Sequence, residues 1–151
     1  MKEYKLKVEL VPKSCHYTNV RSEVSRKEWD KIRKHCYALA NNRCEICGGK
    51  GKRHPVECHE VWDFNSDKQT LIKMIALCPP CHEVKHLGLA QLRGNLPRAT
   101  AHFCKVNGVS TEEAMRYFGE VFDEWAERSR RSWELDISYL DQYMKTDFKI
   151  P

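Results

Sequence analysis

Four cysteines stand as two Cys-x-x-Cys pairs, Cys44/Cys47 in "CEIC" and Cys78/Cys81 in "CPPC". Two thiolates from each of two tight turns supply the tetrahedron that a structural zinc takes. Thirty residues lie between the pairs, so the ion would close a loop and tie its ends together. The bland alternative is redox thiols or merely buried cysteines; two pairs flanking a hairpin argue against it. Four more groups fall in the same stretch: Cys58, His59, His82 and His86. His82 and His86 are four apart on an expected helix, so they share a face and can chelate one divalent ion. Cys58 and His59 are neighbours in an expected strand and point to opposite faces unless the strand bends. One of them can ligate while the other faces a substrate. The alternative for each histidine alone is an ordinary helix or strand residue.

The composition says what kind of chain must position these groups. It has 151 residues, 41% hydrophobic and 31% charged, which fits one globular domain, 1–151, with a modest core. No apolar run is long enough to span a bilayer. The first residues, "MKEYKLKVEL", show no apolar signal core, so the chain reads as cytoplasmic with no membrane partner. In a reducing compartment eight cysteines are metal ligands and bystanders rather than four bridges. Cys15, Cys36 and Cys104 read as small buried or idle residues. The net charge of +5 is uneven: +6 over 1–43, +1 over 44–97 and −2 over 98–151. A basic front suits an anionic partner, with a solvated charged surface as the alternative.

Periodicity supplies the elements. "YKLKVELV" alternates and predicts a strand over 4–11, followed by a loop through "TNVRS". Ser25 and Glu28 form a capping-box pattern ahead of a helix over 26–41. "RCEICGGKGKRHP" is a glycine-rich turn that suits a metal knuckle, with backbone amides turned to the thiolates. "VECHEVW" and "LIKMIAL" read as strands joined by a loop, "DFNSDKQ". "PPCHEVKHLG" opens a helix ending near Gly88. Pro97 begins another that Gly108 ends. Ser110 and Glu113 repeat the capping pattern before an amphipathic helix over 111–129, whose stripe Met115, Phe118, Val121, Phe122 and Trp125 reads as core. "WELDISYL" predicts a short strand to pair with the N-terminal one.

The segment from Cys44 to Gly88 resembles the HNH (His-Me finger, ββα-metal) endonucleases, set in a four-cysteine zinc knuckle. "CPPCH" is similar to the Cys-x-x-Cys-His helix of that superfamily, and "HEVKH" to the metal-binding helix of the colicin nuclease domains. The surrounding "TNVRS", "HPVECHEVW" and "WELDISYL" resemble uncharacterised bacterial and phage proteins described only as HNH-like. The resemblance implies an α+β fold: a zinc-stapled ββα-metal core over 44–88, an N-terminal strand and helix, and a helical C-terminal half with its extension over 97–129. It implies His59 as general base, and Cys58, His82 and His86 as ligands of a second divalent metal. A thiolate among those ligands favours zinc over magnesium. Lys73 stands where the family has a bracing Asn. The activity implied is metal-dependent hydrolysis of DNA phosphodiesters. The basic patch Lys50, Lys52, Arg53 and His54 beside the knuckle suits phosphate contacts, with a charged hairpin tip as the alternative, and Lys73 is read as a further nucleic-acid contact.

Two other readings use the same residues. One is a zinc module that binds nucleic acid without cutting it. The other is a protein-binding factor, such as a phage regulatory or inhibitor module, on the same scaffold. Glu57 and Glu60 flank His59 and read as alternative ligands, as orienters of His59, or as solvated strand carboxylates.

Overall fold

The computed structural model describes residues 3–15 and 17–144. It is an α+β fold with one small three-stranded sheet. Short helix α1 (Val20–Glu23) is capped by Asn19, whose Oδ1 accepts from the Ser22 amide at 3.0 Å. "TNVRS" is therefore one helical turn rather than a plain loop. Helix α2 (Arg26–Leu39) starts at the expected capping box: the Glu28 amide donates to Ser25 Oγ and the Ser25 amide to Glu28 Oε1. Its inner face buries Ile32 and Cys36.

Strands β1 (Glu57–Asn65) and β2 (Lys68–Leu77) form an antiparallel hairpin. They run further than the expected strands because Ser66 and Asp67 both take left-handed backbone angles, φ +51° and +60°. Two such residues close a tight turn that matches the strand twist, so "DFNSDKQ" is mostly strand. Strand β3 (Glu134–Asp136) pairs in parallel with Lys68–Thr70 of β2. The order is β1-β2-β3, which leaves β1 at an edge, with a register irregularity between Val61 and Trp62.

The N-terminal segment is not a strand, and "WELDISYL" does not pair with it. Leu6 and Val8 are buried, as the alternation requires, but side chains satisfy the backbone there. The Leu6 amide donates to Asn107 Oδ1, the Asn107 amide group returns a bond to Leu6 O, and the Val8 amide donates to the Tyr117 hydroxyl. Buried backbone groups need partners, but those partners need not be another strand.

Helix α3 (Pro79–Lys85) and helix α4 (Leu87–Leu92) follow the hairpin. Helix α5 (Leu96–Asn107) ends on Gly108 at φ +64°. Helix α6 (Thr111–Arg128) is capped by Ser110, and one-turn helix α7 (Asp141–Met144) is the last element among the described residues. The sheet has a core on each side. Ile75 and Leu77 of β2 pack with Val84, Leu87, Phe103 and Tyr117. Leu71, Met74 and Ala76 pack with Ile32, Cys36 and Leu140. Of the expected α6 stripe, Phe118 is buried, Val121, Phe122 and Trp125 are half-buried, and Met115 is exposed. No helix among the described residues is long and apolar enough to cross a membrane.

Candidate metal centres

The first centre is built by two turns at one end of the hairpin. Cys44 and Cys47 lie in the turn after α2. The Gly48 amide donates to Cys44 O, and Gly48 takes φ +76°, which only glycine adopts cheaply. This geometry turns backbone N–H groups onto sulfur: Ile46 and Cys47 amides onto Cys44 Sγ at 3.4 and 3.5 Å, and the Gly49 amide onto Cys47 Sγ at 3.4 Å. Cys78 caps α3 and Cys81 lies within it. The four sulfurs lie within 4.8 Å of one another, close enough to hold one metal ion, a set consistent with a structural zinc. The Cys81 side chain hydrogen-bonds Cys44 and, with the backbone amides, holds the Cys44 thiol down to about 4; the same bond pushes Cys81 up. The knuckle is anchored to the sheet through Glu45, whose amide donates to Ala76 O while its carboxylate accepts from the Ala76 amide. His102 of α5 adds a ring nitrogen 3.2 Å from Cys81 Sγ.

The second centre joins β1 to α3. His59 points from β1 toward α3 and meets both His82 and His86, with ring centroids 5.1 Å from each; those two rings are 4.8 Å apart. One nitrogen of each histidine lies within 4.8 Å of the others. His82 Nε2 and His86 Nε2 approach to 3.1 Å. Glu57, two residues before His59 on the same strand face, accepts from His82 Nδ1 at 3.0 Å, which leaves Nε2 of that ring facing the other histidines. Glu57 also contacts His54 Nε2 at 3.0 Å.

His59 is held by a residue that local spacing does not reveal. Glu9, fifty positions upstream in the N-terminal segment, sits 2.8 Å from His59 Nε2. Its other oxygen accepts from buried Lys85 at 2.6 Å, and the Glu9 amide donates to Lys85 O. Burial by itself would raise the Glu9 carboxyl, but the bonds and charges of His59 and Lys85 outweigh it and take it down to about 2. An ionised carboxylate only accepts, so His59 Nε2 carries the hydrogen and Nδ1 keeps the free lone pair. Burial lowers His59, with Glu9 opposing. It lowers His86 to about 3, helped by the neighbouring His59 and His82 rings.

Cys58 is not at this centre. It points to the opposite face of β1, its thiol hydrogen-bonded to that of Cys36, and that hydrogen bond, with burial, raises it. The strand does not bend there, so alternation keeps Cys58 and His59 apart; the irregularity comes later, after Val61. Glu60 shares the Cys58 face, accepts from Trp62 Nε1 at 3.1 Å and is raised mainly by burial, so it orients neither His59 nor the other histidines. Lys73 is exposed on β2 opposite Val61. Lys50, Lys52 and Arg53 are exposed in the loop before β1.

The three histidines form part of the floor of a cleft of about 530 Å³. Its walls are the free edge of β1, the segment from Lys7 to Val11, the end of α6 and the start of α2. None of Lys50, Lys52, Arg53 or Lys73 lines it. Trp125 does; the expectation that it belongs to the core is therefore corrected. It is half-buried, with its indole N–H donated to Val11 O. Comparison with family models, curated proteins and solved structures gives no match.

Proposed function

We propose that the protein is a metal-dependent endonuclease of the HNH type, stapled by a four-cysteine structural zinc. The observation that carries this reading is the convergence of His59, His82 and His86 at the base of an open cleft. The donor set fits a divalent ion: neutral imidazoles are ligands for zinc and its neighbours, and Glu57 holds the His82 ring as an outer carboxylate holds a ligating histidine. A divalent ion held by His82 and His86 would stabilise charge on the scissile phosphate and on the leaving oxygen.

The remaining steps belong to the chain's own side chains. Glu9 fixes the His59 ring and its tautomer. Nδ1 then accepts the proton of the attacking water, and the imidazolium formed is stabilised by the Glu9 carboxylate. Lys85 keeps Glu9 ionised and in place. The exposed Lys50, Lys52 and Arg53 are proposed to grip flanking phosphates, and Lys73 the backbone further along.

Plasmid nicking with zinc, manganese, nickel and magnesium supplied in turn tests the reading. His59→Ala is expected to lower cleavage by about 10²–10⁴-fold while the fold and metal content stay intact. His82→Ala is expected to lose the second metal together with activity. Wild-type protein that fails to cut with any of these metals would sink the proposal. A non-catalytic zinc module is the second reading, and one observation favours it: His59 is only 3% exposed and lies at ligand distance from both other histidines. In that case His59→Ala loses the second metal, which separates the two readings directly.

A further inference from the structure

The cleft walls carry a chemistry that the histidine centre does not use. Three aromatic rings there have a cation over the face: Arg21 lies 5.5 Å from the centroid of Trp29, Lys13 5.4 Å from Trp125, and Arg128 5.3 Å from Phe64. Trp62 lies on the same wall with its indole N–H tied to Glu60. These rings are half-buried, and the N–H bonds of Trp62 and Trp125 fix those two. The acids of the cleft each have a partner: Glu9 holds Lys85 and His59, Glu60 accepts from Trp62, and Glu124 pairs with Arg128. Among the described residues Arg21, which lines the cleft, forms no ion pair, so positive charge remains there; Lys13 lies over Trp125 but does not itself line the cleft.

Fixed aromatic rings beside an unpaired arginine, in an open cleft, match the chemistry of an unpaired polynucleotide strand. Its bases stack on the rings and its phosphates meet the cations. A duplex keeps its base faces covered and presents only phosphates and groove edges, so it cannot use such rings without opening. An extended peptide added to the free edge of β1 is the competing occupant, but it would hold to the strand's backbone groups and leave the rings and Arg21 unused. We propose that the cleft binds a single-stranded or locally unpaired nucleic acid and delivers its phosphate to the three histidines. The inference rests on the nuclease reading for what happens to the strand, but not for its binding.

The test is fluorescence anisotropy with labelled oligothymidine of about sixteen nucleotides, its duplex with oligoadenosine, and oligouridine. The full chain carrying His59→Ala is used so that nothing is cut; should that variant not fold, wild type with a phosphorothioate strand replaces it. The single strand is expected to bind at least tenfold more tightly than the duplex. Trp125→Phe should weaken binding mildly. Trp62→Leu should weaken it about tenfold, and Arg21→Glu should weaken it and flatten its salt dependence. Arg21 is exposed, so that variant folds whether or not the tryptophan variants do. Tighter binding of oligouridine supports the groove and assigns it to RNA. Equal or tighter binding of duplex, or affinity unchanged by Arg21→Glu and Trp62→Leu, overturns the proposal. So does a lack of binding to any strand at low salt, which would leave the β1 edge to a peptide. Strand binding with no cleavage under any metal would defeat the nuclease reading alone. Cleavage of duplex without strand preference would defeat the groove alone.

Discussion

At the scale of single residues, the Glu9–Lys85 pair is the most consequential contact outside the cysteine knuckle. Lys85 is 3% exposed, and a charge there is tolerable only because Glu9 lies 2.6 Å away. Removing one partner of a buried pair strands the other's charge, whereas an apolar replacement of similar volume leaves much less behind. Glu9→Ala is therefore expected to cost about 3 kcal/mol of stability. Lys85→Met should cost clearly less, because Glu9 is partly exposed and keeps His59 as a partner. Urea midpoints of the two variants check the order; equal losses would mean that the pair does not support the fold in this way. Both variants should also reduce cleavage, since each loosens the His59 ring.

At the scale of elements, the knuckle turn and α3 are tied at one glycine. A Cβ on Gly51 would lie 2.2 Å from His54 O and 2.6 Å from Pro79 Cδ. The first of these is backbone and cannot rotate away, so Gly51→Ala must push the turn off the start of α3, beside Cys78. A loss of about 1–3 kcal/mol is expected, with weaker retention of the first metal; a melting curve and a zinc assay on the purified variant read both. Helix α2 is a milder case. Ser25→Ala removes the bond from the Glu28 amide and should cost about 1 kcal/mol, with metal content unchanged. A drop in bound metal for Ser25→Ala would show that the knuckle depends on α2 more than the contacts suggest.

At the scale of the whole molecule, the four-cysteine centre links three parts of the chain: the turn after α2, the C-terminal end of β2 and α3. Cys44→Ser or Cys78→Ser is expected to lose the structural ion and with it much of the cooperative fold. Chelation of wild type should lower Tm on the order of 10 °C or unfold the chain outright. Two ions per chain are expected for wild type and one for His82→Ala. A Cys44→Ser protein with unchanged zinc and unchanged melting would exclude the cysteines as ligands. Charge reversal at Lys52 and Arg53 gives a separate whole-surface test. If this loop contacts phosphates, the double Glu variant binds every DNA sequence more weakly and with a shallower salt slope.

Spacing in the sequence determined the pairing of Cys44/Cys47 with Cys78/Cys81, because two short turns have few ways to present four thiols. It also brought His82 and His86 to one side, because the His86 amide still bonds to His82 O one turn earlier, although His86 itself ends α3 with non-helical angles (φ −101°, ψ +53°). The capping patterns placed the start of α2 and of α6, since they depend on contacts three residues apart; at α6 only the Ser110 bond forms, because the Glu113 carboxylate accepts from the Tyr4 hydroxyl instead of closing the expected box. The opposite facing of Cys58 and His59 was equally legible from strand alternation; what spacing could not say was which of the two would meet α3. Tertiary packing decided that, by setting β1 with His59 toward the helix and Cys58 toward Cys36. It likewise decided that the N-terminal segment is fastened by Asn107 and Tyr117 instead of a neighbouring strand. The placement of Glu9 against His59 across fifty residues, and of Trp125 in a cleft wall instead of the core, has the same origin. Local pattern reports which side of an element is apolar. Which distant surface covers that side depends on how all the elements close on one another, and no short window of sequence contains that information.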